Sequence, residues 1–138
     1  MSYAGDITPL EAWKLLSDNP DAVLVDVRTD AEWRFVGVPD LSGLGREALF
    51  IEWNTSDGRH NDNFADELRE QVDDAGADRP VIFLCRSGQR SIGAARAATE
   101  IGITPAYNVL EGFEGHGDAH GHGRETGWRA TGLPWKRR

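Results

Sequence analysis

Two short apolar runs limit this chain more than anything else in it: Ala22-Val23-Leu24-Val25-Asp26-Val27 and Val81-Ile82-Phe83-Leu84-Cys85. Each falls far short of the roughly 18–20 residues of a membrane-crossing helix. Both are too continuous for strands with one wet face, and their β-branched content suits strands covered on two sides, the usual condition of a parallel sheet. Parallel strands need crossover connections, and helical signals lie where those would run. Thr8-Pro9-Leu10-Glu11 combines a Thr cap, Pro at the first helical position and Glu three residues after the cap. It reads as a capping box, opening a helix whose stripe is Leu10, Trp13, Leu16 and Leu15. Residues 30–36 read as a short helix opened by Asp30 and broken by Gly37-Val38-Pro39-Asp40. Ala48 to Trp53 reads as a second strand and Asn54 to Asn63 as a polar loop. Phe64, Leu68 and Val72 recur every four residues on an acidic helix ending near Gly76. An Ala-rich helix is expected from Gln89 to Ile101, stopped at Gly102, and a last strand from Pro105 to Leu110. This alternation predicts an α/β fold, a small and mainly parallel sheet flanked by helices, as one domain over residues 1–138.

Past Leu110 the texture changes. Glycine becomes frequent, and residues 112–138 are expected to be a largely irregular C-terminal segment. Trp13, Trp33 and Trp53 read as core or near-core residues, while Trp128 and Trp135 are expected to fasten that segment to the body.

Charge narrows the choice of partner. The net charge is −8, which disfavours nonspecific binding to nucleic acid or to an anionic membrane, because both depend on Lys and Arg. Residues 1–80 carry 18 acids and 7 bases, residues 81–138 carry 5 acids and 8 bases. The cationic excess begins at Cys85 with Arg86 and Arg90, so this loop is expected to face an anionic ligand alone. Cys85 is the single cysteine, which rules out an internal disulfide and suits a reducing compartment. Met1-Ser2-Tyr3-Ala4-Gly5-Asp6 lacks a signal-peptide layout. A cytoplasmic location is expected.

Cys85 stands at the carboxyl end of the second apolar run, and Arg86-Ser87-Gly88-Gln89-Arg90-Ser91 leads from it into a helix. In open α/β sheets that crevice is where ligands bind. Gly88 lets the backbone turn its N–H groups inward, and a helix start adds its positive end. Arginines and a helix start favour the thiolate form of a cysteine, and a thiolate is a nucleophile at neutral pH. An inert buried cysteine is the ordinary alternative. It gives no reason for Arg, Ser, Gly and Arg to follow at once.

The loop resembles the active-site loop of the rhodanese family of single-domain sulfurtransferases, and other segments match in order: Leu24-Val25-Asp26-Val27-Arg28 with Glu32-Trp33, Ala94-Ala95, Tyr107-Asn108-Val109-Leu110-Glu111-Gly112, and Trp128 with Gly132-Leu133-Pro134-Trp135. The resemblance implies a three-layer rhodanese-like domain that moves a sulfane sulfur from a small donor such as thiosulfate to cyanide or a thiol, or along a protein sulfur relay. It implies that Cys85 carries the sulfur as a persulfide, that the backbone of Arg86, Ser87, Gly88, Gln89 and Arg90 holds it, and that Arg86 and Arg90 bind the donor's charge. No cofactor or metal is implied, and a monomer is expected. Asp26 and Arg28, two apart at the end of a strand, share one face. They read either as a brace for the cysteine loop or as an ordinary surface pair. Two segments depart from the family pattern. Gly37-Val38-Pro39-Asp40-Leu41 lacks the His of the common Gly-His-Ile-Pro motif, and Glu111-Gly112-Phe113-Glu114-Gly115 replaces a double glycine. Both lie in loops that border the site in family members and bear on substrate preference.

Two other readings compete. Cell-cycle-type phosphatases share the fold but place five residues between Cys and Arg, whereas Cys85 and Arg90 have four between them. The smaller ring suits a sulfur substituent better than a phosphate. A docking module without catalysis is the second. His116, His120 and His122, with Asp118, are near enough in sequence to bind a transition metal. Set in glycines, they lack the packing that fixes ligands and read as a solvated loop. His60, in a polar stretch, has nothing to pair it with Cys85.

Overall fold

The computed structural model describes residues 3–72, 79–115 and 126–138. Among the described residues, seven strands and five helices follow in the order β1 (Gly5–Ile7), α1 (Pro9–Asp18), β2 (Val23–Asp26), α2 (Asp30–Phe35), β3 (Val38–Pro39), β4 (Leu49–Phe50), α3 (Phe64–Val72), β5 (Val81–Leu84), α4 (Arg90–Glu100), β6 (Ala106–Val109), α5 (Gly127–Ala130) and β7 (Trp135–Lys136), with a 3-10 turn at Ser42–Leu44. The main sheet runs β1-β6-β5-β2-β4, every pair parallel. The expected α/β architecture is therefore present, and β5, which ends at the cysteine, is the middle strand.

Every residue of β2 and β5 is buried, as their unbroken apolar runs require. Alternate residues serve opposite layers. Val23, Val25, Val27, Val81, Phe83 and Cys85 pack with Phe64, Leu68 and Val72 of α3 and Ala94, Ala95 and Ala98 of α4. Leu24, Ile82 and Leu84 pack on the other side with Ala12 and Leu16 of α1, Phe113, Trp128 and Leu133. The alanines on α4 let that helix lie close to the sheet.

The capping box on α1 is formed, Thr8 Oγ1 accepting from Glu11 N–H at 3.1 Å and Glu11 accepting from Thr8 N–H at 2.8 Å. Its stripe is shifted, however: Ala12 and Leu16 are buried and Leu10 is 59% exposed. One residue is 100° of helix rotation, which carries Leu10 away from the sheet. Thr29, not Asp30, caps α2, through a second capping box with Glu32. Only Leu49 and Phe50 of the expected 48–53 strand pair as regular strand, although Trp53 N–H still bonds Val27 O. The expected end of α3 near Gly76 lies outside the described residues. The C-terminal segment is more regular than expected: β7 pairs antiparallel with β3, and Trp128 is fully buried, edge-on to Trp13 at 5.8 Å, its Nε1 donating to Pro134 O. No helix among the described residues is long and apolar enough to cross a membrane.

Candidate functional site

Cys85 leaves the end of β5 with its Sγ facing α4 and only 1% of the residue exposed. Gly88 N–H donates to the sulfur at 3.1 Å, and Ser91 Oγ lies at the same distance from it, its single proton engaged by the closer Asn108 Oδ1. Gly88 has φ +95°, and a Cβ there would press to 3.1 Å from Glu111 N and 3.2 Å from Val109 O, so glycine is required twice over.

The carbonyls of the loop are tied down. Cys85 O accepts from Phe113 N–H at 2.8 Å, Arg86 O from Glu114 N–H at 2.9 Å, and Gly88 O from the Asn108 amide at 3.2 Å. In a trans peptide the N–H lies opposite the carbonyl, so these bonds direct the N–H groups of Arg86, Ser87 and Gln89 away from β6 and its following turn. None of the three has a hydrogen-bond acceptor among the described residues. The start of α4 adds more: its cap, Gln89, gives no side-chain hydrogen bond, so first-turn N–H groups remain open for a ligand. Gly88 N–H thus meets the sulfur while the neighbouring N–H groups of the same loop stay open, an arrangement that suits an anion.

The charged partners come from distant segments. Arg90 forms a fork with Glu32 of α2, at 2.7 and 2.9 Å. Burial opposes ionisation of Glu32, but the bonds from Arg90 and from Thr29 N–H, with the charges of Arg90 and Arg28, outweigh it and hold the carboxyl below its ordinary range. The bond to Glu32, against the cost of burial, raises Arg90, and the Glu32, Cys85 and Asp26 charges add to it. Arg86, half exposed, pairs with Glu114 at 3.3 Å. The cationic loop expected to meet an anion alone is thus matched by two carboxylates that folding delivers. Ser87 is half-buried and Gln89 exposed.

Asp26 and Arg28 form a fully buried pair at 2.7 Å, which sets aside the ordinary surface pair. They sit at the same sheet edge as Cys85 but on the opposite face. Arg28 also donates to Gly37 O at 2.8 Å and lies 4.2 Å over the Phe113 ring. Phe113 is the residue whose N–H holds the Cys85 carbonyl, so the pair and the cysteine meet through one phenylalanine.

Sequence reasoning missed Asn108, Glu114 and Gly112 as parts of this site. A Cβ on Gly112, at φ +58°, would come within 2.6 Å of the Arg86 carbonyl carbon, so the 111–115 turn sits flat on the loop only because of that glycine. The Tyr107-to-Gly112 segment is the signal in the sequence for Asn108 and Gly112. His116, His120 and His122 lie outside the described residues. Among the described residues no three His, Cys, Asp or Glu side chains gather as for a metal, and His60 stacks edge-on with Trp53 at 4.6 Å. A separate cavity of about 510 Å³ beside β4, lined in part by Leu41, Arg46, Phe50 and Arg138, contains no residue of the cysteine loop.

Comparison with known proteins agrees with this geometry. Residues 5–138 match the family model described as the STR4 middle domain. The crystal structure of Rv0390 from M. tuberculosis is 72% identical and superposes with a TM-score of 0.91, over 99% of this chain and all of that one. The thiosulfate sulfurtransferase GlpE of Actinobacillus pleuropneumoniae is 27% identical over 94% of this chain and 90% of its own. A rhodanese-like domain protein from Staphylococcus aureus shares the fold at 22% identity and a TM-score of 0.52, covering 86% of this chain and 94% of that one. With a parallel sheet ending in a cysteine loop and a family match along nearly its whole length, the chain belongs to the STR4 middle-domain family of rhodanese-like domains.

Proposed function

We propose that the protein is a sulfurtransferase that carries a sulfane sulfur as a persulfide on Cys85. The observation that carries this reading is the loop itself: a cysteine at a strand end whose sulfur accepts from Gly88 N–H, in a loop where the N–H groups of Arg86, Ser87 and Gln89 have no acceptor among the described residues. The similarity to GlpE, named a thiosulfate sulfurtransferase, supports the same chemistry.

The reaction has two displacements. After the Cys85 thiol gives its proton to solvent, the thiolate attacks the outer sulfur of the donor. A bond forms between the two sulfurs, the donor's own sulfur bond breaks, and the leaving group departs with the electron pair, as sulfite when the donor is thiosulfate. An acceptor, cyanide or a thiolate, then attacks the outer sulfur of the persulfide, and Cys85 leaves as thiolate. No net oxidation occurs at the protein and no cofactor is required. Arg86 and Arg90 orient an anionic donor at the mouth while their carboxylate partners moderate the charge. With a single cysteine, the acceptor comes from outside the chain, as a small thiol, cyanide or a relay protein. A monomer in a reducing cytoplasm is the setting that suits it.

The test is intact mass after thiosulfate treatment, then sulfur delivery to cyanide. The wild type gains one sulfur atom and yields thiocyanate; Cys85→Ser does neither. Thiocyanate formation by the Ser variant overturns the mechanism. Release of phosphate from an aryl phosphate with no sulfur uptake assigns the loop to the phosphatase reading, and folded protein with neither activity assigns it to docking.

A further inference from the structure

Asn108 has no part in the displacements above, yet it is almost wholly buried directly beneath the cysteine loop. It lies on β6 in register with Asp6 of β1 and Phe83 of β5, which puts its side chain on the α4 face with Cys85. Its amide oxygen accepts a close hydrogen bond from Ser91 Oγ. Its amide nitrogen donates to Gly88 O at 3.2 Å and to Asp6 Oδ1 at 3.0 Å, and Asp6 is held in turn by Tyr3 O–H at 2.6 Å. The orientation of the amide is unambiguous. Gly88 O and the Asp6 carboxylate are acceptors only, so a flipped amide would set oxygen against oxygen on that side.

One side chain therefore holds both residues that contact the Cys85 sulfur. Through Ser91 it fixes the hydroxyl 3.1 Å from Sγ. Through Gly88 O it fixes the plane of the 88–89 peptide, and so the direction of the Gln89 N–H, which has no acceptor among the described residues. Gly88 N–H, on the preceding peptide, already serves Sγ; the Gln89 N–H is left for whatever is bonded to it.

We propose that Asn108 is a positioning residue for sulfur transfer, holding the 88–89 peptide so that the Gln89 N–H stabilises the outer, negatively charged sulfur of the persulfide, and holding the Ser91 oxygen in place beside Sγ. This rests on the sulfurtransferase reading, and it acts through Gly88, Gln89 and Ser91 without touching the substrate. The charged groups around the loop, Arg86 and Arg90, Glu32 from α2, Asp26 and Arg28 from the end of β2, and Glu114, are unchanged by substitutions at 108. What changes is hydrogen bonding alone.

Three variants in the full chain separate the roles. Asn108→Ala removes both functions of the amide. Asn108→Leu keeps the volume, adds no charge and removes both hydrogen bonds. Val72→Ala opens the core on α3 without touching the loop and controls for lost stability. In both Asn108 variants the persulfide, loaded and then followed by mass in the absence of acceptor, decays about tenfold faster than in wild type, the worth of one hydrogen bond to a charged group. The kcat for transfer falls by a similar factor, with little change in KM for the donor, and alkylation of unloaded Cys85 at fixed pH stays within about twofold of wild type. Val72→Ala retains the wild-type lifetime. A second readout needs no sulfur chemistry: amide hydrogen exchange at Gly88 and Gln89 of the unloaded protein quickens in both Asn108 variants and not in Val72→Ala. Should Asn108→Ala fail to fold, the Leu variant carries both readouts. Unchanged lifetime, kcat and exchange in a folded Asn108 variant overturn the proposal, as does an equal loss in Val72→Ala. A wild type that takes up no sulfur overturns the sulfurtransferase reading instead, and the exchange readout still decides whether Asn108 holds the loop.

Discussion

At the residue scale, the cysteine and its loop were legible because their chemistry is written contiguously: strand, Cys85, two arginines, a glycine and a helix within a dozen positions. Their counterweights were not. Glu32 is 58 residues from Arg90 in sequence, and nothing local to Glu32 says which of 15 basic side chains it will meet. The fork it forms makes a prediction of its own. Because the Glu32 carboxyl titrates below its ordinary range in the folded protein, the unfolded chain takes up that proton first as pH falls. The stabilisation is complete above the unfolded carboxylate range, about pH 4.3, and disappears as pH drops through the lower folded value. Glu32→Gln is expected to cost about 2 kcal/mol at pH 7, with the gap to wild type narrowing near pH 3. Urea unfolding at the two pH values measures it.

At the scale of elements, those with capping signals or a long period were found from sequence, and the ones missed are two to four residues long. β1, β3 and β7 are too short to show any periodicity, and each owes its conformation to a partner elsewhere in the chain. The 111–115 turn belongs with them. It has no secondary-structure signature, yet its N–H groups hold the Cys85 and Arg86 carbonyls, and Glu111 takes φ +68° to begin it. Gly112→Ala puts a methyl group where the Cys85 and Arg86 backbone already lies. Left-handed strain and overpacking together are expected to cost about 2–4 kcal/mol and to displace the loop, so that sulfur uptake falls at temperatures where circular dichroism still reports a folded chain.

At the scale of the whole molecule, the split of charge between the two halves of the sequence does not survive as a split in space, since Glu32 from the acidic half lies against Arg90. What does organise the molecule is a succession of layers around the thiol. The cysteine loop is held by the 111–115 turn, whose Gly112 and Phe113 carbonyls accept from the Trp128 and Arg129 N–H groups of α5, and α5 is seated on α1 through Trp128 and Trp13. The tryptophans were legible as fasteners; that the fastener reaches back to the cysteine was not, because a chain of backbone bonds leaves no mark on composition. Trp128→Ala is expected to cost about 3–5 kcal/mol and to slow sulfur transfer although residue 128 lies two layers from the sulfur. A shifted urea midpoint together with a reduced transfer rate in folded protein would show both.

That layering gives the thiol a history during translation. Cys85 leaves the ribosome about fifty residues ahead of Trp135, which at about 5–20 residues per second is an interval of roughly 3–10 s. For that time Cys85 is an ordinary cysteine, and the loop around it takes its final shape only once residues 111–135 have folded back to hold the Cys85 and Arg86 carbonyls.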